Sequence, residues 1–166
     1  PKRKQNLVES GRLVNMLWST RDAAQQVAEG RIDAAQSTGS AVSRGHQSPP
    51  STGASELMMT STKASQTFDQ MLEQMGDGYV VNGVMGAHTA NPTSGDFSVT
   101  TSSILRVVGG EIIGPLKQAG LSGNLANALS GNVILGDDVR RQGSYSSGSM
   151  HLPDVLLMEG LRVNPA

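Results

Sequence analysis

Gly86-Ala87-His88-Thr89-Ala90-Asn91-Pro92-Thr93-Ser94-Gly95-Asp96-Phe97-Ser98-Val99, followed by Arg106-Val107-Val108-Gly109-Gly110-Glu111-Ile112, is the part of this chain that decides its fold. Small and polar residues fill a segment bracketed by two apolar runs, Val80-Val81 before it and Ile104-Leu105 after it. Gly83, Gly86 and Gly95 free the backbone for left-handed or closely packed conformations. Asn91-Pro92 and Ser94-Gly95-Asp96 carry turn chemistry, and Val108-Gly109-Gly110-Glu111 is a tight-hairpin signal. The pattern reads as strands joined by turns, with a polar loop held between them. A loop of this kind on a strand scaffold binds something or simply connects, and composition leaves both readings open.

Outward from this centre, apolar patterning predicts strands over 79–84, 97–101, 104–108 and 111–114. Ser122 then caps a short helix to Leu129 that buries Leu125 and Leu129. A strand follows over 132–135, then a Gly/Ser loop over 140–149, then a last hairpin of 155–158 with 161–163 around Glu159-Gly160. Upstream, 5–9 and 12–18 read as a hairpin around Ser10-Gly11. Ser19-Thr20-Arg21-Asp22 opens a helix with a small apolar face of Ala23, Ala24, Val27 and Ala28, stopped by Gly30. Residues 37–55 form a long Ser/Thr/Gly/Pro loop and 56–61 a short strand. Thr67 with Gln70 matches a capping box for a helix to Met75, with Phe68, Met71, Leu72 and Met75 at helical spacing and Gly76 as its stop. Strands outnumber helices and are joined mostly by hairpins. The expected class is α+β, with a mixed or antiparallel, partly barrel-like sheet and a few short helices.

The chain has 166 residues, which fits a single domain over 1–166 with a sizeable core. Its net charge is -1 and aromatics are 3%, with no basic face beyond Lys2-Arg3-Lys4, so direct nucleic-acid binding is not expected. It lacks cysteine, which excludes disulfides and thiolate chemistry and fits a reducing cytoplasm. No apolar run nears the roughly 18 residues of a membrane span, and no signal peptide is visible. The chain begins with Pro1 rather than Met, which reads as a fragment of a longer protein.

Chemistry-bearing residues are sparse. His46, His88 and His151 are the only histidines, and none forms the i,i+4 pair of a zinc helix. An exposed or hydrogen-bonded histidine is the simpler reading of each, and a meeting of His88 with Asp96 stays open. Asp137-Asp138 beside Arg140-Arg141 is either a divalent-cation or acid–base pair or, preferred here, a solvated turn with weak local ion pairs. Met58, Met59, Met71, Met75 and Met85 read as core filler. No nucleophile elbow or phosphate cradle is present.

Five motifs together carry a resemblance. They are Gly95-Asp96-Phe97-Ser98, the Gly109-Gly110-Glu111-Ile112 turn, Ala119-Gly120-Leu121-Ser122-Gly123-Asn124-Leu125, Gly136-Asp137-Asp138 and Leu156-Leu157-Met158-Glu159-Gly160-Leu161-Arg162-Val163. In this order and at similar spacing, from Lys4 to Val163, they resemble the carboxy-terminal domain of the TldD/PmbA family (PmbA is also called TldE), the "modulator of DNA gyrase" proteins. The resemblance implies a separate amino-terminal domain outside this chain. It also implies a paired peptidase acting on unfolded or leader-type peptides. In that family TldD-type subunits carry a zinc helix with two histidines and a glutamate, plus a cysteine from a loop near the carboxy terminus. The corresponding loop here, Gly143-Ser144-Tyr145-Ser146-Ser147-Gly148, has no cysteine, so the chain looks like the PmbA-type partner with no cofactor of its own.

The expected partners are therefore a TldD-like catalytic subunit and a peptide substrate, in a homo- or hetero-dimer. His88, Asn91, Ser94, Gly95, Asp96 and Ser98, with an adjacent strand edge, would line the peptide path, because edge-strand addition gives affinity without demanding a sequence. One rival is a metal-dependent hydrolase using His88, Asp96, Asp137 and Asp138. The other is a DNA gyrase-associated regulator, which requires steeply salt-dependent DNA binding.

Overall fold

The computed structural model describes residues 4–34, 36–43, 45–61, 63–142 and 149–165. In chain order its strands are β1 (Val8–Glu9), β2 (Arg12–Leu13), β3 (Ala41–Val42), β4 (Ser51–Thr52), β5 (Glu56–Met58), β6 (Gly78–Met85), β7 (Asp96–Val108), β8 (Glu111–Leu116), β9 (Ala119–Asn124), β10 (Val133–Leu135), β11 (Arg140–Gln142), β12 (Ser149–Leu152), β13 (Val155–Leu157) and β14 (Leu161–Pro165). The helices are α1 (Thr20–Ala28), α2 (Phe68–Met75) and α3 (Leu125–Ser130), with a 3-10 turn at Ala87–Thr89. The architecture is α+β with mostly antiparallel sheets and short helices, and no closed barrel forms among the described residues. Two compact units share the chain. One holds residues up to Met59 together with Arg140–Leu152, the other Thr60–Val139 with the residues from Pro153 onward.

In the first unit, Ser10 and Gly11 take positive φ values of 49° and 78° at the tip of the β1–β2 hairpin. The expected cap of α1 forms at Ser19 and is a full capping box, with the Asp22 N–H donating to Ser19 Oγ at 3.0 Å. Residues 37–55 are not structureless, because β3 and β4 pair within them. Hydroxyls hold this segment to α1. Thr52 Oγ1 donates to Asp22 Oδ2 at 2.8 Å, and Thr38 Oγ1 accepts from the Trp18 N–H at 2.8 Å. Of this unit's described apolar side chains, only Ala23 is buried, while Leu13 is 66% and Met58 57% exposed. The third element of the unit is a small sheet in which β12 pairs antiparallel with β11 and parallel with β5. The expected loop over 140–149 is thus partly strand, and 143–148 lie outside the described residues.

The second unit contains the core. The α2 capping box forms between Thr67 and Gln70, and Gly76 ends the helix at φ 65°. Met71 and Leu72 turn inward from it and are buried, as are Val99, Ile104 and Val107 of β7, with Ala119, Ala128 and Leu156. The strands expected at 97–101 and 104–108 are one strand, β7, and all of the five-stranded sheet depends on it. β6 pairs along one side of β7; β9 and then β8 pair along the other. The buried positions 99, 101, 104 and 107 break the period of two; the β6–β7 ladder slips on either side of Gly83, between Thr101 and Ile104.

Thr101 is fully buried where β7 changes partner from β9 to β8. Its Oγ1 donates to the Ala119 carbonyl at 3.2 Å and accepts from the Ala119 N–H at 2.9 Å. The Val108–Glu111 turn forms as expected, with Gly109 and Gly110 at φ 58° and 84°. It docks on the end of α2 through Gly110 N–H to Gly76 O at 2.7 Å and Gly109 N–H to Asp77 Oδ1 at 2.8 Å.

Several expectations are corrected here. Residues 119–124 are strand β9, and the helix is capped by Asn124, not Ser122. Gly123 pairs with Phe97 and Leu161 within the sheet, and the position takes glycine because a Cβ there would lie 2.7 Å from the Gly160 carbonyl. α3 buries Ala128 rather than Leu125 and Leu129, which are 48% and 53% exposed. The turn at Gly160 approaches the Ala128 Cα so closely that a Cβ on Gly160 would meet it at 2.8 Å, and only a small side chain fits between. The residues on either side of Glu159-Gly160 do not pair as a hairpin, since β13 pairs with β10 and β14 with β9. Of the methionines read as filler, Met71 is buried, but Met58, Met59 and Met85 are exposed.

Thr101→Val keeps shape and removes both hydrogen bonds, leaving a buried Ala119 N–H unpaired. The expected loss is about 1–3 kcal/mol, read as a lower urea midpoint at unchanged slope. A midpoint equal to the parent would show that the hydroxyl is not needed at the partner change.

Candidate functional site

The polar loop between β6 and β7 is built by three successive local devices. Gly86, left-handed at φ 85°, starts the 3-10 turn, and its carbonyl accepts from the Thr89 N–H at 2.9 Å and Thr89 Oγ1 at 2.7 Å. Asn91 then folds the chain back as an Asx turn, its Oδ1 accepting from the N–H of Thr93 at 2.9 Å and of Ser94 at 3.2 Å. Finally Gly95, at φ 79°, closes the loop, with its N–H on the Asn91 carbonyl and the Asn91 N–H on the Asp96 carbonyl, both at 2.9 Å.

One side chain ties this loop to the rest of the sheet. Asn124 Nδ2 donates to the Ser94 carbonyl and to Asp96 Oδ1, each at 2.8 Å. The same carboxamide uses Oδ1 to cap α3, accepting from the Asn127 N–H at 3.1 Å. The Leu125 N–H reaches the Gly95 carbonyl at 2.9 Å. The hydrogen bond from Asn124, then that with Ser94, holds the Asp96 carboxyl below its usual range.

Of the residues selected from sequence, Asn91, Ser94, Gly95 and Asp96 are thus joined in one hydrogen-bonded loop. Ser98 is exposed on β7, opposite Ser122 of β9. His88 is exposed on the 3-10 turn, and no hydrogen bond or ion pair links it to Asp96 among the described residues. Asp137 contributes its N–H to the Gln66 carbonyl at 3.0 Å, beside the Gln66–Gly136 bridge. Among the described residues no three His, Cys, Asp or Glu side chains form a group that could hold a metal ion, so His88, Asp96, Asp137 and Asp138 make no such cluster.

Sequence reasoning missed Asn124, although an Asn preceding a short apolar helix is itself an N-cap signal. It also missed the cross-strand pair of His151 Nε2 with Glu56 Oε1 at 3.0 Å, which only the parallel β5–β12 pairing brings together.

Residues 1–164 match the family model described as the PmbA/TldA metallopeptidase C-terminal domain. The chain belongs to the TldD/PmbA family. It is 33% identical over 147 residues to an uncharacterised protein of Methanocaldococcus jannaschii, covering 89% of this chain and 32% of that one. It is 34% identical over 89 residues to metalloprotease PmbA of Escherichia coli O157:H7, covering 54% of this chain and 19% of that protein. In structure it is similar to TldE from Thermococcus kodakarensis, with a TM-score of 0.78 and 22% identity over 99% of this chain and 34% of that one, a likeness of fold. It is also similar to a putative modulator of a DNA gyrase from Thermotoga maritima, with a TM-score of 0.75 and 26% identity over 99% of this chain and 33% of that one. The chain thus spans about a third or less of the length of these TldD/PmbA relatives. Among its described residues no helix is long and apolar enough to cross a membrane.

The lowered Asp96 ionisation sets a sign for pH dependence. A carboxyl that ionises below its unfolded value adds stability above that unfolded value and loses it as pH falls through the lowered folded one. Asp96→Asn therefore lowers stability at neutral pH and flattens the acid limb, so that the curves of parent and variant converge as pH falls through the lowered folded value. Superimposable acid limbs for parent and variant would contradict the Asn124–Asp96 contact.

Proposed function

We propose that this chain is the carboxy-terminal domain of a PmbA-type, non-catalytic subunit of a TldD/PmbA-like metallopeptidase complex acting on unfolded or leader-type peptides. Family membership supplies the frame. The observation that carries the subunit reading is the first unit's apolar surface. Val8, Leu13, Val14, Met16, Leu57 and Met58 are exposed, and Ala23 is this unit's only buried apolar side chain among the described residues. Such a surface favours cover by protein, either a TldD-like catalytic subunit or a second copy.

The peptide path in this reading runs along the 91–98 loop and β6. β6 ends the hydrogen-bonded order of the five-stranded sheet among the described residues, and its Val84 and Met85 are exposed beside the loop. An extended peptide added at such an edge is held by main-chain hydrogen bonds, which suits a substrate without fixed sequence. His88, Asn91, Ser94, Gly95, Asp96 and Ser98 would shape the mouth of that path. None of them serves as nucleophile or metal ligand in this scheme, and the chain carries no cofactor. The active partner supplies the metal.

The pure chain is expected to leave casein uncut and to scatter light as a dimer or larger at micromolar concentration. The full-length subunit is expected to co-purify with a TldD-type subunit and to be required for full peptide turnover. In that complex Val84→Lys lowers peptide crosslinking to β6 several-fold without moving the melting temperature. Chelator-sensitive casein cleavage by the pure chain, or stoichiometric zinc bound to it, would overturn the reading. A strictly monomeric chain that ignores the TldD-type subunit would do the same.

A further inference from the structure

We infer that the Asn82–Gly83 step of β6 is a site of spontaneous covalent modification, at which asparagine converts to aspartate and isoaspartate. Of the eight asparagines in the chain, Asn82 alone precedes a glycine. Asn91 and Asn164 precede prolines, which have no N–H to attack with. Asn6, Asn15, Asn124, Asn127 and Asn132 precede residues whose side chains crowd the following amide. Hydrogen bonds further hold the side chains of Asn6, Asn15, Asn91 and Asn124.

Asn82 is exposed, and its carboxamide has no hydrogen-bond partner among the described residues. The backbone beside it departs from regular pairing, because the β6–β7 ladder slips by one residue both before and after Gly83. Regular pairing would hold the Asn82 side chain and the Gly83 amide apart; the double slip releases that constraint. A Cβ at Gly83 would lie 2.5 Å from Ser102 Oγ, so a larger residue there would make the Ser102 hydroxyl turn away.

In the reaction the deprotonated Gly83 nitrogen attacks Asn82 Cγ. The new N–Cγ bond closes a five-membered succinimide, the Cγ–Nδ2 bond breaks, and ammonia leaves with a proton returned from solvent. Water then opens the ring at either carbonyl. One opening gives aspartate; the other gives isoaspartate, which adds a methylene to the main chain. Both place a new negative charge on β6. The isoaspartate form also disturbs the pairing of Val84 and Met85 with Thr101 and Thr100. The inference stands apart from the peptide path, since it rests on the chemistry of this dipeptide alone.

The test is to hold the full folded chain in mildly alkaline buffer at physiological temperature, digest it, and follow the one-dalton gain of the peptide carrying Asn82. Isoaspartate is labelled with an isoaspartyl methyltransferase. Conversion at Asn82 is expected to exceed that at every other asparagine several-fold and to rise with pH, and Asn82→Gln removes both the gain and the label. A folded chain that keeps Asn82 amidated, while the urea-unfolded chain converts, would overturn the inference. So would another asparagine converting as fast.

Discussion

The hydroxyl of Thr101 is the pin of this fold. β7 is long enough to serve two neighbours on one side, and a strand that changes partner leaves backbone groups stranded at the change. Oγ1 satisfies both polar groups of Ala119 at that point, in a setting with no access to water. The same register relates β7 to β8 near Ile104 and to β9 near Thr100, so β8 and β9 behave as one antiparallel partner interrupted at Lys117-Gln118. With the interruption closed by a side chain, β7 runs unbroken through the core and buries Val99, Ile104 and Val107 along its length.

Asn124 does at the end of the sheet what Thr101 does at its middle. One carboxamide caps α3 and also fastens the 91–96 loop, so loop position and helix position are set together. The loop is exposed, yet its backbone groups are largely used internally, by Asn91, by Gly95 and by Asn124. A preformed loop loses little freedom when something lands on it.

Local chemistry was legible in the sequence and long-range pairing was not. Thr67 with Gln70, Ser19 with Asp22, and Gly109-Gly110 specify their caps and turn within a few residues, and each forms as read. β9 was hidden because Gly120, Ser122 and Gly123 look like loop residues. Their place in a strand is dictated by Leu161 and Gly160, which lie far along the chain and press against Gly123. Leu125 and Leu129 look like a buried face, but the backbone of Gly160 occupies the space beside α3 and admits only Ala128. Ser102-Ser103 read as a break between two strands, whereas tertiary pairing carries β7 straight through it. In the candidate site, Asn91, Ser94 and Asp96 were found from turn chemistry. Asn124 was missed because its partners are residues of a different element.

The interleaving of the two units has a kinetic consequence. β5 comes early in the chain, but its one strand partner among the described residues, β12, follows after every strand from β6 to β11 has been made. Contacts so distant in sequence must close a large loop before they return any stability. The second unit's β6–β7–β8 meander needs only neighbouring segments. During synthesis it can therefore settle first, leaving β5, with its exposed Leu57 and Met58, unpaired until β12 follows. Until β12 arrives, that apolar strand is open to pairing elsewhere.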